Sequence, residues 1–291
     1  MKSKLIPLAF MAMFGVTAEA SPIFINYGAN NDGDGDTKTS IFTQLGFGQL
    51  KATSIYTDSN GNGILEGNDT IYDTNIQSIL AANFATGSYA SKSGVPNSVA
   101  LDNSIKSQNA QITGLLPLSF LDSLEGFNVN WNMTLQYEMF GTYAGLLGGS
   151  PFKSGYLNLF YNTDLDPGNQ QLLLKMSITG SSLTVGNLNI FGKITQVGAG
   201  PNGNTDFFNF APLPGQSFAS LLGQDISWLL DTNIDPPVPT DATLADIGGG
   251  KYARQTQLDG SIKFNVPEPE TLTLLGIGLL GLAMSTRKQK A

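Results

Sequence analysis

The sequence predicts an all-β fold: a single domain of β-sandwich or jelly-roll-like architecture. Short apolar runs of period two recur along the chain, and clusters of Gly, Pro, Asn and Asp separate them. Stretches with helical spacing are few, and no repeat of fixed period appears, which argues against a solenoid or propeller.

Taken in order, Ile23, Phe24, Ile25 and Tyr27 form a first apolar run, and residues 41–57 a longer β-rich one. Residues 75–84 place Ile76, Ile79, Leu80 and Phe84 at helical spacing, which predicts one or two helical turns. Residues 86–103 read as a loop, and 119–124 as a short helical turn. The clearest element is 127–140. There Phe127, Val129, Trp131, Met133, Leu135, Tyr137 and Met139 alternate with amides, Thr134 and Glu138, as a long strand with one buried face requires. The amide-dense face suits either sugars or solvent. Residues 156–161 and 172–179 form strands around a turn at 163–169, and the meander continues to Ile194. Residues 205–210 make an aromatic strand. Residues 231–240 (DTNIDPPVPT) are too proline-rich for a ladder interior and are expected along an edge. Residues 255–266 form the last strand.

Composition limits the chemistry. The chain has no histidine and no cysteine. Ser-His-Asp triads, His-ligated zinc and thiol nucleophiles are therefore excluded. Carboxylate chemistry, serine–lysine pairs and hard-cation sites remain. Glu125 and Glu138 are the candidates for a two-carboxylate glycan-cleaving site.

The strongest cation motif is 58–69 (DSNGNGILEGND). On the EF-hand template Asp58, Asn60 and Asn62 take positions 1, 3 and 5, and Gly63 takes the sharp turn. The Ile64 carbonyl, Glu66 and Asp69 take positions 7, 9 and 12, a set that predicts calcium. Position 12 is the short Asp and the flanks read as strands, so a plain hairpin turned at Asn62-Gly63 also fits. Asp32, Asp34 and Asp36, alternating with glycines, make a second calcium turn or a solvated acidic one.

Both ends read as addresses. Lys2 and Lys4 precede an apolar run at 5–16, and Ala18-Glu19-Ala20 is a small-x-small cleavage site. Residues 1–20 thus form a secretory signal peptide, handled by the secretion translocon and signal peptidase, with cleavage before Ser21. At the other end Pro267-Glu268-Pro269-Glu270 leads into an apolar run of 14 residues, 271–284, and then Arg287, Lys288 and Lys290. The prolines keep the approach extended. The run is shorter than the roughly 17 residues that span a bilayer, so it suits a short, transient inner-membrane helix. The cations after it favour a cytoplasmic tail.

The order Val266-Pro267-Glu268-Pro269, then Leu272, Leu274, Leu275, Gly276, Gly278, Leu279, Gly281 and Leu282, then the basic cluster, resembles the PEP-CTERM sorting signal. The tail is Lys-rich where that family is Arg-rich. The resemblance implies a Gram-negative bacterium that makes extracellular polysaccharide. It also implies exosortase, which recognises Pro267, Glu268 and Pro269 and removes the tail, and delivery of the cargo to the cell surface or matrix. Two stretches, 230–236 (LDTNIDP) and 254–261 (RQTQLDGS), are similar to flocculation-associated members of the group.

The layout is then a signal peptide at 1–20, an all-β cargo domain at 21–265 and a sorting signal at 266–291. The cargo keeps 10 basic and 20 acidic residues, a surface that repels nucleic acid and anionic lipid. The expected role is non-enzymatic: adhesion, biofilm or floc formation with exopolysaccharide. A secreted carboxylate-dependent glycan-cleaving enzyme and a ligand-free structural surface protein are the alternatives.

Overall fold

The structure, a computed structural model, describes residues 20–266 apart from 97, 105–109, 120, 144–150, 164, 166–168, 185, 212–214 and 236–238. Its strands are β1 (Ile23–Ile25), β2 (Gln44–Thr57), β3 (Thr70–Thr74), β4 (Gly87–Tyr89), β5 (Val99–Leu101), β6 (Ile112–Leu116), β7 (Trp131–Thr142) and β8 (Phe152–Thr163). They continue with β9 (Gln170–Thr184), β10 (Asn187–Val197), β11 (Phe208–Phe210), β12 (Ser227–Asp235), β13 (Ala245–Gly248) and β14 (Lys251–Asn265). One short helix, α1 (Gln77–Asn83), lies within the stretch of helical spacing.

The sandwich expectation is wrong: the sheet closes into an eight-stranded antiparallel barrel. Its order is β2-β3-β7-β8-β9-β10-β12-β14, and β14 returns to pair with β2 from Lys251↔Thr57 to Lys263↔Gln44. A sandwich leaves two sheets with open edges, whereas closure removes the edges. The closing strands are about 200 residues apart in sequence, and each carries the same inward alternation that it would carry in a sandwich. Bulges supply the coiling that closure needs. One falls between Leu258 and Gly260, where a Cβ on Gly260 would lie 2.1 Å from the Asp231 carbonyl oxygen. Gly155, at φ +135°, sits as close to the Glu138 carbonyl.

The barrel is filled. Trp131, Met133, Leu135, Tyr137 and Met139 of β7 point inward and are buried, as are Leu157, Leu159 and Tyr161 of β8. Each such side chain contributes roughly 1.5–3 kcal/mol by leaving water. Asn158, Lys175, Ser177 and Lys193 occupy the opposite phase. This apolar interior is the reverse of a membrane-spanning barrel, whose apolar band faces out.

Two strand boundaries correct the sequence reading. β7 begins at Trp131 and not at Phe127. Asn128 adopts φ +60° in a tight turn, and Val129 is 73% exposed despite its place in the alternation. Residues 231–235 are not an edge: β12 lies between β10 and β14, and its ladder stops just before Pro236.

One lane of the barrel is shared. β3 pairs with the upper part of β7 and β6 continues the lane along β2. Between them the chain leaves the wall to form α1 and the β4–β5 hairpin. Leu80, Phe84 and Leu101 pack there on Ile55, Ala245 and Ala253 outside the barrel. At the lower end β1 pairs with β11. Tyr27 stacks on Trp131 at 5.1 Å, and Phe208, Phe210, Phe218 and Phe264 pack ring against ring to close that mouth. Among the described residues no helix is long and apolar enough to cross a membrane; the expected membrane run, 271–284, lies outside them.

Candidate functional sites

The 58–69 loop joins β2 to β3 at the upper end of the barrel, as a hairpin insertion. Its carboxylates organise the backbone. Asp58 Oδ1 accepts from the Gly61 N–H at 2.7 Å and Oδ2 from the Gly63 N–H at 2.6 Å. Asp69, fully buried, accepts from the N–H groups of Ser59 and Glu66, both at 2.8 Å. Asn60 and Asn62 accept from the N–H two residues on and donate their amides to Glu66 Oε1, at 2.6 and 3.0 Å. Gly61 and Gly63, at φ +72° and +78°, allow the winding. The loop is tied to its neighbours through Asp58 N–H to Gly250 O and Tyr143 N–H to Asp69 O. The five expected side-chain ligands are thus all engaged within one wound loop, while Ile64, expected to contribute its carbonyl, has its side chain exposed.

Asp58, Glu66 and Asp69 do not bring carboxylate oxygens as close together as a second group does. Among the described residues the acidic trio with ligand oxygens all within 4.8 Å of one another is Asp32, Asp34 and Glu125, at the lower end. Asp32 and Asp34 come from the glycine-alternating stretch; Asp36 instead caps its own turn by accepting from the Lys38 N–H. Glu125 replaces Asp36 in the trio, a pairing across about 90 residues that nothing local signals. Its carboxylate accepts from the Asn31 N–H at 2.8 Å, and its carbonyl accepts from Trp131 Nε1–H at 2.7 Å. Burial raises the Glu125 pKa, the Asn31 N–H opposes this, and the charges of Asp32 and Asp34 add to it. A hydrogen bond from Ser123 lowers that of Asp32.

A polar cluster sits inside the upper half of the barrel. Asp73 of β3 accepts from Tyr137 Oη at 2.8 Å and from Ser54 Oγ. Beside them Tyr56 and Arg254 border a cavity of about 60 Å³ that Met139, Phe152 and Leu188 complete. Burial pushes Asp73 up to about 6, against the pull of Ser54, Tyr137 and Arg254. Burial also raises Tyr56 to about 12 and lowers Arg254, which the neighbouring Tyr56 and Asp73 hold up. Sequence reasoning missed this cluster. Its signal was a charged residue in the inward phase of an alternating strand, Asp73 after Ile71 and Arg254 before Thr256 and Leu258.

On the outside the amide face of β7 is mostly self-satisfied. Asn162 donates to Asn132 Oδ1 and Thr134 Oγ1, and Gln170 bridges Thr134 and Gln136. Higher up, Phe140 stacks on Tyr72 with centroids 4.8 Å apart and planes 23° from parallel. Glu138 lies between two phenols: Tyr72 Oη donates to Oε2 at 2.8 Å and Tyr156 Oη to Oε1. Burial and that carboxylate raise both phenol pKa values, Tyr156 to about 12. Lys175 Nζ lies 5.6 Å over the Tyr156 ring. Glu125 packs beside Trp131 at the lower end, while Glu138 is seven residues along β7, about 23 Å at 3.3 Å per residue. The two do not form the paired carboxylates that glycan cleavage needs, at roughly 5–9.5 Å.

The ends of the cargo meet. Ser21 donates its N–H to the Phe264 carbonyl at 2.8 Å, and Val266 donates its N–H to Ser21 Oγ at 3.1 Å. Ala20, beside the expected signal cleavage, is the first described residue. Ala18, Pro267, Glu268, Pro269, Arg287, Lys288 and Lys290 lie outside the described residues. No curated protein and no solved structure matches the chain. Residues 265–288 do match the family model of the PEP-CTERM protein-sorting motif. The match starts at Asn265, the last residue of β14, so the address follows the barrel wall directly. The chain therefore carries a PEP-CTERM protein-sorting motif, which implies export, exosortase processing and surface association in a Gram-negative cell.

Proposed function

We propose that the barrel is a non-enzymatic matrix protein that holds the producing cell's exopolysaccharide, in adhesion, biofilm or floc formation. The PEP-CTERM motif carries this reading, because it sends the cargo to the surface where that polymer accumulates. The motif follows β14 without a spacer domain, so the barrel is what is delivered. The two stretches similar to flocculation-associated members lie on neighbouring strands, Asp231 opposite Ser261 and Asn233 opposite Asp259. The 58–69 loop takes calcium in this reading, through Asp58, Asn60, Asn62, Glu66, Asp69 and the Ile64 carbonyl. The translocon, signal peptidase and a brief inner-membrane stage precede exosortase.

The test is retention of washed, purified protein on exopolysaccharide from the producing strain, together with floc size in a deletion strain. Retention and smaller flocs support the reading. No retention and unchanged flocs overturn it in favour of a ligand-free structural role. Release of reducing sugar from the polymer would instead restore the enzyme alternative.

A further inference from the structure

We infer that the strip on the outer wall formed by Phe140, Tyr72, Glu138, Tyr156 and Lys175 is where the barrel holds a neutral, flat-ringed polysaccharide; this rests on the matrix reading above and names its site. The outward phase of β7 is otherwise polar, so an aromatic there has no core to serve. Phe140 is nonetheless 44% exposed, with its ring stacked on Tyr72. Tyr72 is wedged in turn against the Ile55 and Leu80 cluster, so the pair stands on a fixed base. Beyond Phe140 on the same face, Glu138 faces Tyr156 across the ladder. Diagonal neighbours in such a ladder lie roughly 7–8 Å apart, so the ring and the polar groups form one strip.

Two features select a sugar. A pyranose with equatorial hydroxyls has an apolar C–H face that packs on an aromatic ring and a polar rim that needs hydrogen bonds. Here the ring is Phe140. The rim partners are the Lys175 ammonium, the phenol oxygens of Tyr72 and Tyr156, and the Gln136 amide two residues from Glu138 on the same face. Glu138 accepts from both phenols and thereby fixes their direction, which lowers the entropy that a ligand must overcome. A rim of this kind discriminates hydroxyl patterns, as polar partners in a binding site do. The cargo's excess of 20 acidic over 10 basic residues opposes an acidic polymer, and the Glu138 carboxylate in the strip adds to that. The observations favour an uncharged glycan of pyranoses with equatorial hydroxyls.

The experiment uses the full exported protein purified from cells, with cellohexaose as the soluble probe, polygalacturonate as the acidic control and the producer's exopolysaccharide as the natural polymer. Calorimetry should show heat with cellohexaose and none with polygalacturonate. Phe140→Ala and Phe140→Leu should each weaken cellohexaose binding by about tenfold or more, while Phe140→Tyr stays within about twofold. Leucine keeps apolar volume and loses the ring face, so it separates stacking from simple hydrophobic contact. Thermal melting of each variant verifies folding. If the wild type is retained on exopolysaccharide and Phe140→Leu, folded, is retained equally, the strip is not the site and the matrix reading stands. If the wild type is not retained at all, both fall. Preference for polygalacturonate, or no heat with cellohexaose, overturns the ligand class.

Discussion

The side-chain amide of Asn75 stands opposite Tyr137 in the place of a missing peptide unit. Its Oδ1 accepts from the Tyr137 N–H at 3.0 Å, and its Nδ2 donates to the Leu135 carbonyl at 2.8 Å. It thereby bridges the gap left where β3 ends and before Ala110 resumes the lane by accepting from the Leu135 N–H. All of these groups are buried. Asn75→Ala should leave a backbone donor and an acceptor without partners and cost about 3 kcal/mol. Asn75→Asp keeps the acceptor and loses the donor, and should also destabilise. Urea denaturation curves with unchanged m-values check both.

Gly155 and Gly260 are expected to be irreplaceable. A Cβ at either would meet a carbonyl oxygen of the adjacent strand at 2.1 Å, and Gly155 adds φ +135°. Gly155→Ala and Gly260→Ala should each destabilise by about 2–3 kcal/mol. Gly61→Ala, with nothing within 4 Å, should cost only the strain of its positive φ, about 1 kcal/mol. Thermal unfolding ranks the three.

Asp73 gives the barrel an acid-favoured component of stability. Its carboxyl is raised from 3.8 to about 6 in the folded state, so between these values the native protein binds the extra proton. The contribution is full below pH 3.8 and falls as pH rises through about 6, by a maximum of roughly 3 kcal/mol. Asp73→Asn removes it. The stability difference between wild type and variant should therefore shift against the wild type from pH 4 to pH 6.5 and be flat above. A difference independent of pH would contradict this.

Calcium should raise the melting temperature through the 58–69 loop. Sites in extracellular modules bind at roughly 10⁻⁴–10⁻³ M. At about 10 mM calcium the linkage contributes about 1.4–2.7 kcal/mol, a rise of roughly 3–11 °C for a domain of this size. Asp58→Ala should abolish the rise. Glu125→Gln should leave it intact, because Glu125 belongs to the separate trio with Asp32 and Asp34. No rise, or a rise lost only in the Glu125 variant, would remove the loop from the reading.

How much of this was legible depended on range. Local patterns held: the alternation of β7 from Trp131, the short helix around Leu80, the inserted loop at 58–69 and the sorting motif. The failures were long-range or conformational. Nothing in residues 44–57 or 251–265 states that they pair with each other, so closure into a barrel was invisible. The prolines after Asp235 suggest an edge for the whole stretch, although a ladder loses donors only at the proline itself. Val129 matched the period, yet Asn128 at φ +60° had already turned the chain. Among site residues, Asp58 to Asp69 are consecutive and readable. The Asp73, Tyr137 and Arg254 cluster draws on three strands and the Phe140 strip on four, so only the sheet register brings them together.

The bond between Ser21 and Val266 also bears on mechanics. In the reading proposed above, with the sorting tail held in the membrane, drag on the barrel enters the fold at Val266 and runs along β14. That strand is hydrogen-bonded to β2 on one side and, near its end, to β12 on the other. Tension along it loads both ladders in shear, so many bonds must give together where a hairpin pulled from its open end would lose them one at a time. Ser21, the residue after the expected signal cleavage, clamps the same point. The tether is thus attached to one of the longest and most fully paired strands of the barrel.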